Sequence, residues 1–87
     1  MWNIIMNLNI KMELWIRSQD KKDLICTRRI YVHENTIRTN VYEAIGFAIL
    51  GEYETKERAI EVLDEIQNYI LLPNADNSAY VYKMPEK

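Results

Sequence analysis

Two segments constrain the fold most: a strictly alternating apolar strand that runs into a polar turn, and, some thirty residues later, a capped amphipathic helix. Over residues 8–17, Leu8, Ile10, Met12, Leu14 and Ile16 share one parity, while Asn9, Lys11, Glu13, Trp15 and Arg17 share the other. That period of two predicts a strand buried on one face. The polar cluster SQDKKD at 18–23 follows as a turn. Thr55 is a suitable N-cap, and Glu57 near the start suits the helix dipole. Ala59, Val62, Leu63, Ile66 and Ile70 recur at helical spacing, so an apolar stripe is available to lie on a sheet. A strand whose apolar face meets such a helix gives an α+β domain.

The remaining pattern fills in the order β-β-β-β-α-β. Residues 24–32 resume an apolar pattern whose parity slips at Arg28 and Arg29, which predicts a bulge that points both guanidinium groups towards one region. A turn at 33–35 leads to a third strand through Ile37, Thr39 and Val41. Residues 44–53, with Gly46 and Gly51, read as a more continuously apolar fourth strand, covered in part on both faces. Pro73 stops the helix, 74–78 is a loop, and 79–84 alternates Tyr80 and Tyr82 against Val81 and Lys83 before Pro85 ends the strand. The expectation is one antiparallel sheet of about five strands with one amphipathic helix on it.

A chain of 87 residues fits a single domain. At this size a domain buries only about 60–65% of the surface its unfolded chain exposes, so the core is thin. With 48% apolar residues, the chain is expected to form a homo-oligomer that supplements this core. The net charge of −2 gives no footprint for long nucleic acid. Two glycines do not make a phosphate-cradling loop. Cys26 is the only cysteine, so no disulfide forms within the chain and a cytosolic setting is expected. Residues 1–10 are apolar but lack the basic start and small-residue cleavage site of a signal peptide. No apolar run approaches the roughly 18 residues that span a bilayer, so no membrane partner is expected.

Catalytic and metal constellations are sparse. His33 is the only histidine, and it sits in a turn beside Glu34. A serine or cysteine nucleophile needs a histidine base held by a third group. A structural zinc site takes four Cys or His ligands, and Cys26 and His33 are the only two such residues. The reading is therefore of a protein that is not an enzyme and needs no metal or cofactor.

Binding chemistry is better represented. Arg17, Arg28, Arg29 and Arg38 fall in predicted strands, and a guanidinium fork grips phosphate in bidentate fashion. Trp15, Tyr31, Tyr42, Tyr80 and Tyr82 offer flat rings for a base, and Ser18 and Gln19 add neutral hydrogen-bonding groups. These residue types suit a small nucleotide better than a polymer. Alternatively, the rings pack in the core and the arginines are solvated. Glu57, Glu61, Asp64 and Glu65 lie opposite the apolar helix stripe. They form either a solvated surface or an acidic strip for a protein partner.

The segment RSQDK at 17–21, LGEY at 50–53, the Thr55 cap, Arg58 and Ala59, VLDEI at 62–66, and Met84 with Pro85 together carry a resemblance. From Met12 onward the chain resembles a family of small proteins encoded by phages and prophages of Gram-positive bacteria. That family usually begins near Met12, so residues 1–11 are either an upstream start or an extension of the first strand, and the unbroken alternation favours an extension. The grouping is similar, more distantly, to phage proteins that defeat Thoeris or CBASS immunity. Those proteins act as oligomeric sponges for a cyclic ADP-ribose or cyclic oligonucleotide signal, which they do not cleave.

This resemblance implies an anti-defence protein in the cytoplasm of the infected host cell, sequestering a small nucleotide signal at an oligomer interface. In that reading Arg17 and either Arg28 or Arg29 grip the pyrophosphate. Tyr80 or Tyr82 stacks the adenine, and Ser18 and Gln19 bind ribose hydroxyls. The alternative is a protein-binding inhibitor of a host defence enzyme, acting through the acidic helix face or a sheet edge. A third reading is a structural or regulatory phage protein that only self-associates.

Overall fold

The computed structural model describes residues 14–41, 46–71 and 80–87, with Tyr80 described by its backbone alone. The fold is α+β. The described residues form six strands, β1 (Leu14–Arg17), β2 (Leu24–Cys26), β3 (Ile30–His33), β4 (Thr36–Asn40), β5 (Phe47–Glu52) and β6 (Tyr80–Lys83). The helix α1 (Lys56–Leu71) lies between β5 and β6 in the sequence. The part of the expected first strand before Leu14, and the expected extension at 1–11, lie outside the described residues.

Instead of one five-stranded sheet, the described residues form two sheets of three strands, in the orders β2-β1-β6 and β3-β4-β5. The first is mixed. β1 runs antiparallel to β2 but parallel to β6, with Leu14, Trp15, Ile16 and Arg17 opposite Tyr80, Val81, Tyr82 and Lys83. The second sheet is antiparallel throughout.

The break between sheets falls at the parity slip expected to be a bulge. The Thr27 hydroxyl accepts a bond from the Arg29 backbone N–H at 3.2 Å and lies 3.0 Å from the Arg29 carbonyl. Such a local bond competes with a strand ladder. Here it ends β2 and sends the chain into the other sheet. The buried Thr39 hydroxyl also donates to the Arg29 carbonyl at 2.7 Å and lies against the Thr27 hydroxyl, tying the corner to β4. A bulge does occur in the second sheet. Ile37 faces Gly51 and Arg38 faces Ile49, which leaves Leu50 as the extra residue.

Helix α1 starts as its sequence predicts. Thr55 Oγ1 accepts the Arg58 backbone N–H at 3.0 Å, the bond an N-cap makes. Its stripe buries Ala59, Val62 and Ile66 against Ile16, Ile37, Leu50, Tyr53 and Met84. Ile16, Ile37, Ala59 and Val62 have no exposed surface. Burying an isoleucine side chain of this kind contributes about 2–3 kcal/mol. Because successive strand residues point to opposite faces, the buried Ile16 turns its neighbours Trp15 and Arg17 away from the helix.

Candidate functional site

The face of the β2-β1-β6 sheet away from α1 carries Trp15 and Arg17 from β1. In register on the flanks stand Cys26 and Leu24 from β2, and Val81 and Lys83 from β6. Leu24 is 51% exposed and Val81 46%, and Trp15 is half-buried between its strand neighbours. Arg17 and Lys83 are directly opposite residues of adjacent strands, whose backbones lie about 4.8 Å apart. Both are exposed. Like charges so placed repel, a cost to the sheet that an anion between them relieves.

The Arg17 Nε donates to the Lys21 carbonyl at 3.0 Å, which anchors the guanidinium at the turn. Its terminal nitrogens and the Lys83 ammonium have no protein partner among the described residues. Lys21 itself is paired with Glu86 at 3.0 Å. The face thus presents two open cations beside an indole. Lys83 was not singled out from the sequence. Its relation to Arg17 depends on parallel pairing between strands some sixty residues apart, for which the local pattern holds no signal.

Within one chain, Ser18, Gln19, Arg28, Arg29 and Tyr82 do not gather around Arg17. Ser18 is buried, and its hydroxyl donates to Asp20 at 2.6 Å and accepts the Asp23 N–H at 3.0 Å. The Ser18 bond, with a second from the Lys22 N–H, holds the Asp20 carboxyl below its ordinary range. Gln19 reaches across the molecule. Its Oε1 accepts the Glu52 N–H at 2.9 Å, and its Nε2 donates to the carbonyls of Glu52 and Glu86 at 3.0 and 2.9 Å. Pro85 O lies at 3.3 Å from the same nitrogen. The side-chain amide pairs with Glu52 as a neighbouring strand would, and it pins the C-terminal tail. Both residues spend their polar atoms on the fold.

Arg28 lies past the end of β2 opposite to the one that meets Arg17. It lines a groove of about 390 Å³ on the helix side, with Leu14, Ile30, Ile66, Ile70 and Asp64 among its neighbours. Arg29 belongs to the other sheet, where its guanidinium lies 4.8 Å from the centre of the Tyr31 ring. Arg38 lies 4.1 Å over Phe47 on the same outer face and donates to Thr36 Oγ1 at 2.9 Å. Within one chain Arg17, Arg28 and Arg29 therefore stand in three separate locations, so a grip of Arg17 with Arg28 or Arg29 on one pyrophosphate would need different copies of the chain. Arg17 shares its face with Lys83.

Tyr82 pairs with Ile16 and turns towards the helix. Its ring meets Tyr69 edge-on at 5.4 Å, and its hydroxyl donates to Glu65 at 3.3 Å. It is thus on the opposite face from Arg17, already packed. The Tyr80 backbone pairs with Leu14, and its ring lies outside the described residues, as does Tyr42. Trp15 is the described ring that stands beside Arg17.

The acidic helix strip is partly neutralised, since Arg58 reaches Glu61 at 3.2 Å and Glu65 at 3.1 Å. Arg58 also donates to the Lys87 carbonyl at 2.9 Å. It lines a depression of about 860 Å³ with Glu52, Tyr53, Glu54, Thr55, Glu86 and Lys87. Three carboxylates and a committed guanidinium make that depression a poor receptor for anions.

No family model, curated protein or solved structure matches this chain. No helix among the described residues is long and apolar enough to cross a membrane.

Proposed function

We propose that the protein binds a small anionic nucleotide and holds it without chemical turnover, on the outer face of the β2-β1-β6 sheet. The phosphate lies across Arg17 and Lys83, and the base lies against Trp15, with Leu24 and Val81 at its edges. The observation that carries this reading is the exposed Arg17–Lys83 cross-strand pair beside a half-buried indole. Together with the resemblance to phage proteins, it supports an anti-defence role in the cytoplasm of an infected bacterium. There the protein withdraws a nucleotide immune signal of the cyclic ADP-ribose or cyclic oligonucleotide type.

The test is calorimetric titration of the full chain with cyclic ADP-ribose isomers and cyclic di- and trinucleotides. Arg17→Ala and Lys83→Ala each remove one charge-assisted contact, which contributes about 1.5 kcal/mol, or roughly tenfold in affinity. Trp15→Ala removes the stacking surface, with a loss of about 1–3 kcal/mol. Binding by both charge variants at parental affinity removes this face as the site.

A further inference from the structure

Two further faces among the described residues are opposites. On the outer face of the β3-β4-β5 sheet, Phe47 and Ile49 are 47% and 50% exposed. Beside them stand Arg38, directly opposite Ile49, and Arg29, stacked on Tyr31. On α1, the surface away from the core presents Ile60 at 42% and Leu71 at 72% exposure. Glu57 and Asp64, three residues before and four after Ile60, share that side of the helix with Lys56, four residues before it. Asp64 also borders the groove that holds Arg28, and no ion pair among the described residues engages Glu57 or Asp64. One face is apolar with a basic rim, and the other is apolar with an acidic rim.

We infer that the protein associates with itself head to tail, the outward side of α1 in one copy docking on the outer face of the β3-β4-β5 sheet in the next. Charge decides which faces meet. Two sheet faces pressed together gather four guanidinium groups, and two helix faces gather the four carboxylates of Glu57 and Asp64 against the two Lys56 ammonium groups. Pairing unlike faces sets Arg29 and Arg38 against Glu57 and Asp64 and covers Phe47 and Ile49 with Ile60 and Leu71. Such juxtaposition of opposite potentials selects orientation, and like-charge contact across an interface suppresses the wrong pairing. Phe, Tyr and Arg are also residue types enriched at interface centres. The contact is heterologous, so repetition produces a closed ring or an open filament according to the rotation between copies. It leaves the outer face with Arg17 and Lys83 uncovered, and it stands independently of any nucleotide binding there.

Sedimentation velocity on the full chain over a concentration series, at low and high salt, tests this. Species larger than one copy are expected, shrinking as salt rises. Arg38→Glu and Asp64→Arg should each sediment as single copies. Their equimolar mixture should regain assembly, because the intact helix face of one variant meets the intact sheet face of the other. Ile60→Asp, a change at an exposed helix position, should also abolish assembly while circular dichroism confirms the fold. A parent that stays a single copy throughout overturns the inference. So do single variants that assemble like the parent, or a mixture that does not regain assembly.

Discussion

Replacing Gln19 by Ala should destabilise the protein by about 2 kcal/mol without touching the apolar core. The amide makes three bonds of 2.9–3.0 Å, two to the backbone of Glu52 and one to the Glu86 carbonyl. A hydrogen bond contributes about 0.5–1.5 kcal/mol net, and the exposure of these partners places each in the lower half of that range. For a domain of this size 1 kcal/mol lowers the melting temperature by about 4–8 °C, so a drop of about 8–16 °C is expected. Urea denaturation followed by circular dichroism measures the free energy directly. Gln19→Glu supplies a control of opposite logic. Its carboxylate can still accept the Glu52 N–H, but it also faces the carbonyls of Glu52, Pro85 and Glu86. At neutral pH it should be at least as damaging as Ala. The crowded carbonyls raise the folded-state pKa of this carboxyl, so stability is recovered on acidification and lost again as pH rises through that pKa. A Gln19→Ala protein within about 0.5 kcal/mol of the parent would refute the role of this side chain as a clamp between β5 and the tail.

Gly51→Ala should also destabilise, by about 1–3 kcal/mol, through overpacking. A Cβ there would stand 2.8 Å from the Tyr53 hydroxyl and 3.1 Å from the Met84 methyl. The Tyr53 hydroxyl is tied to the Pro85 carbonyl at 2.9 Å and has little room to yield, so unchanged stability in a thermal melt would contradict this packing. Alkaline pH provides an independent probe. Burial above all pushes the Tyr53 and Tyr82 hydroxyls up to about 12, and the Glu65 carboxylate adds to both shifts. Folded-state values raised above the ordinary value of about 10 mean that the stabilisation is complete below pH ~10 and is lost as pH rises towards ~12. Tyr53→Phe should flatten that decline in a denaturation series, and tyrosinate absorbance that rises with an ordinary midpoint in the folded protein would contradict the burial.

Local chemistry made the elements legible. The Thr55 cap, the apolar stripe through Val62 and Ile66 and the alternation around Ile16 each report on neighbours within a few residues, and each lies where its pattern predicts. The division into two sheets was less legible, because the Thr27 hydroxyl converts what reads as a bulge into a corner. Parallel pairing of β1 with β6 depends on the intervening fold, and with it the meeting of Arg17 and Lys83. Gln19 looked like an exposed turn residue with a free amide for the same reason: its partners are more than thirty positions away. Arg29 and Arg38 were recognisable as cations in strands, whereas Phe47 as the ring beneath Arg38 was not, since only the register of β4 with β5 brings them together.

The most direct test of nucleotide holding without turnover is to incubate the purified chain with cyclic ADP-ribose isomers and cyclic di- and trinucleotides, filter, heat the retained protein and analyse both fractions by mass spectrometry. The account predicts that one compound leaves the filtrate, returns intact on heating, and, at a protein concentration near the parental dissociation constant, stays largely in the filtrate when Lys83→Ala replaces the parent. Every compound remaining in the filtrate with the parent protein, or a retained compound released as cleavage products, would contradict it.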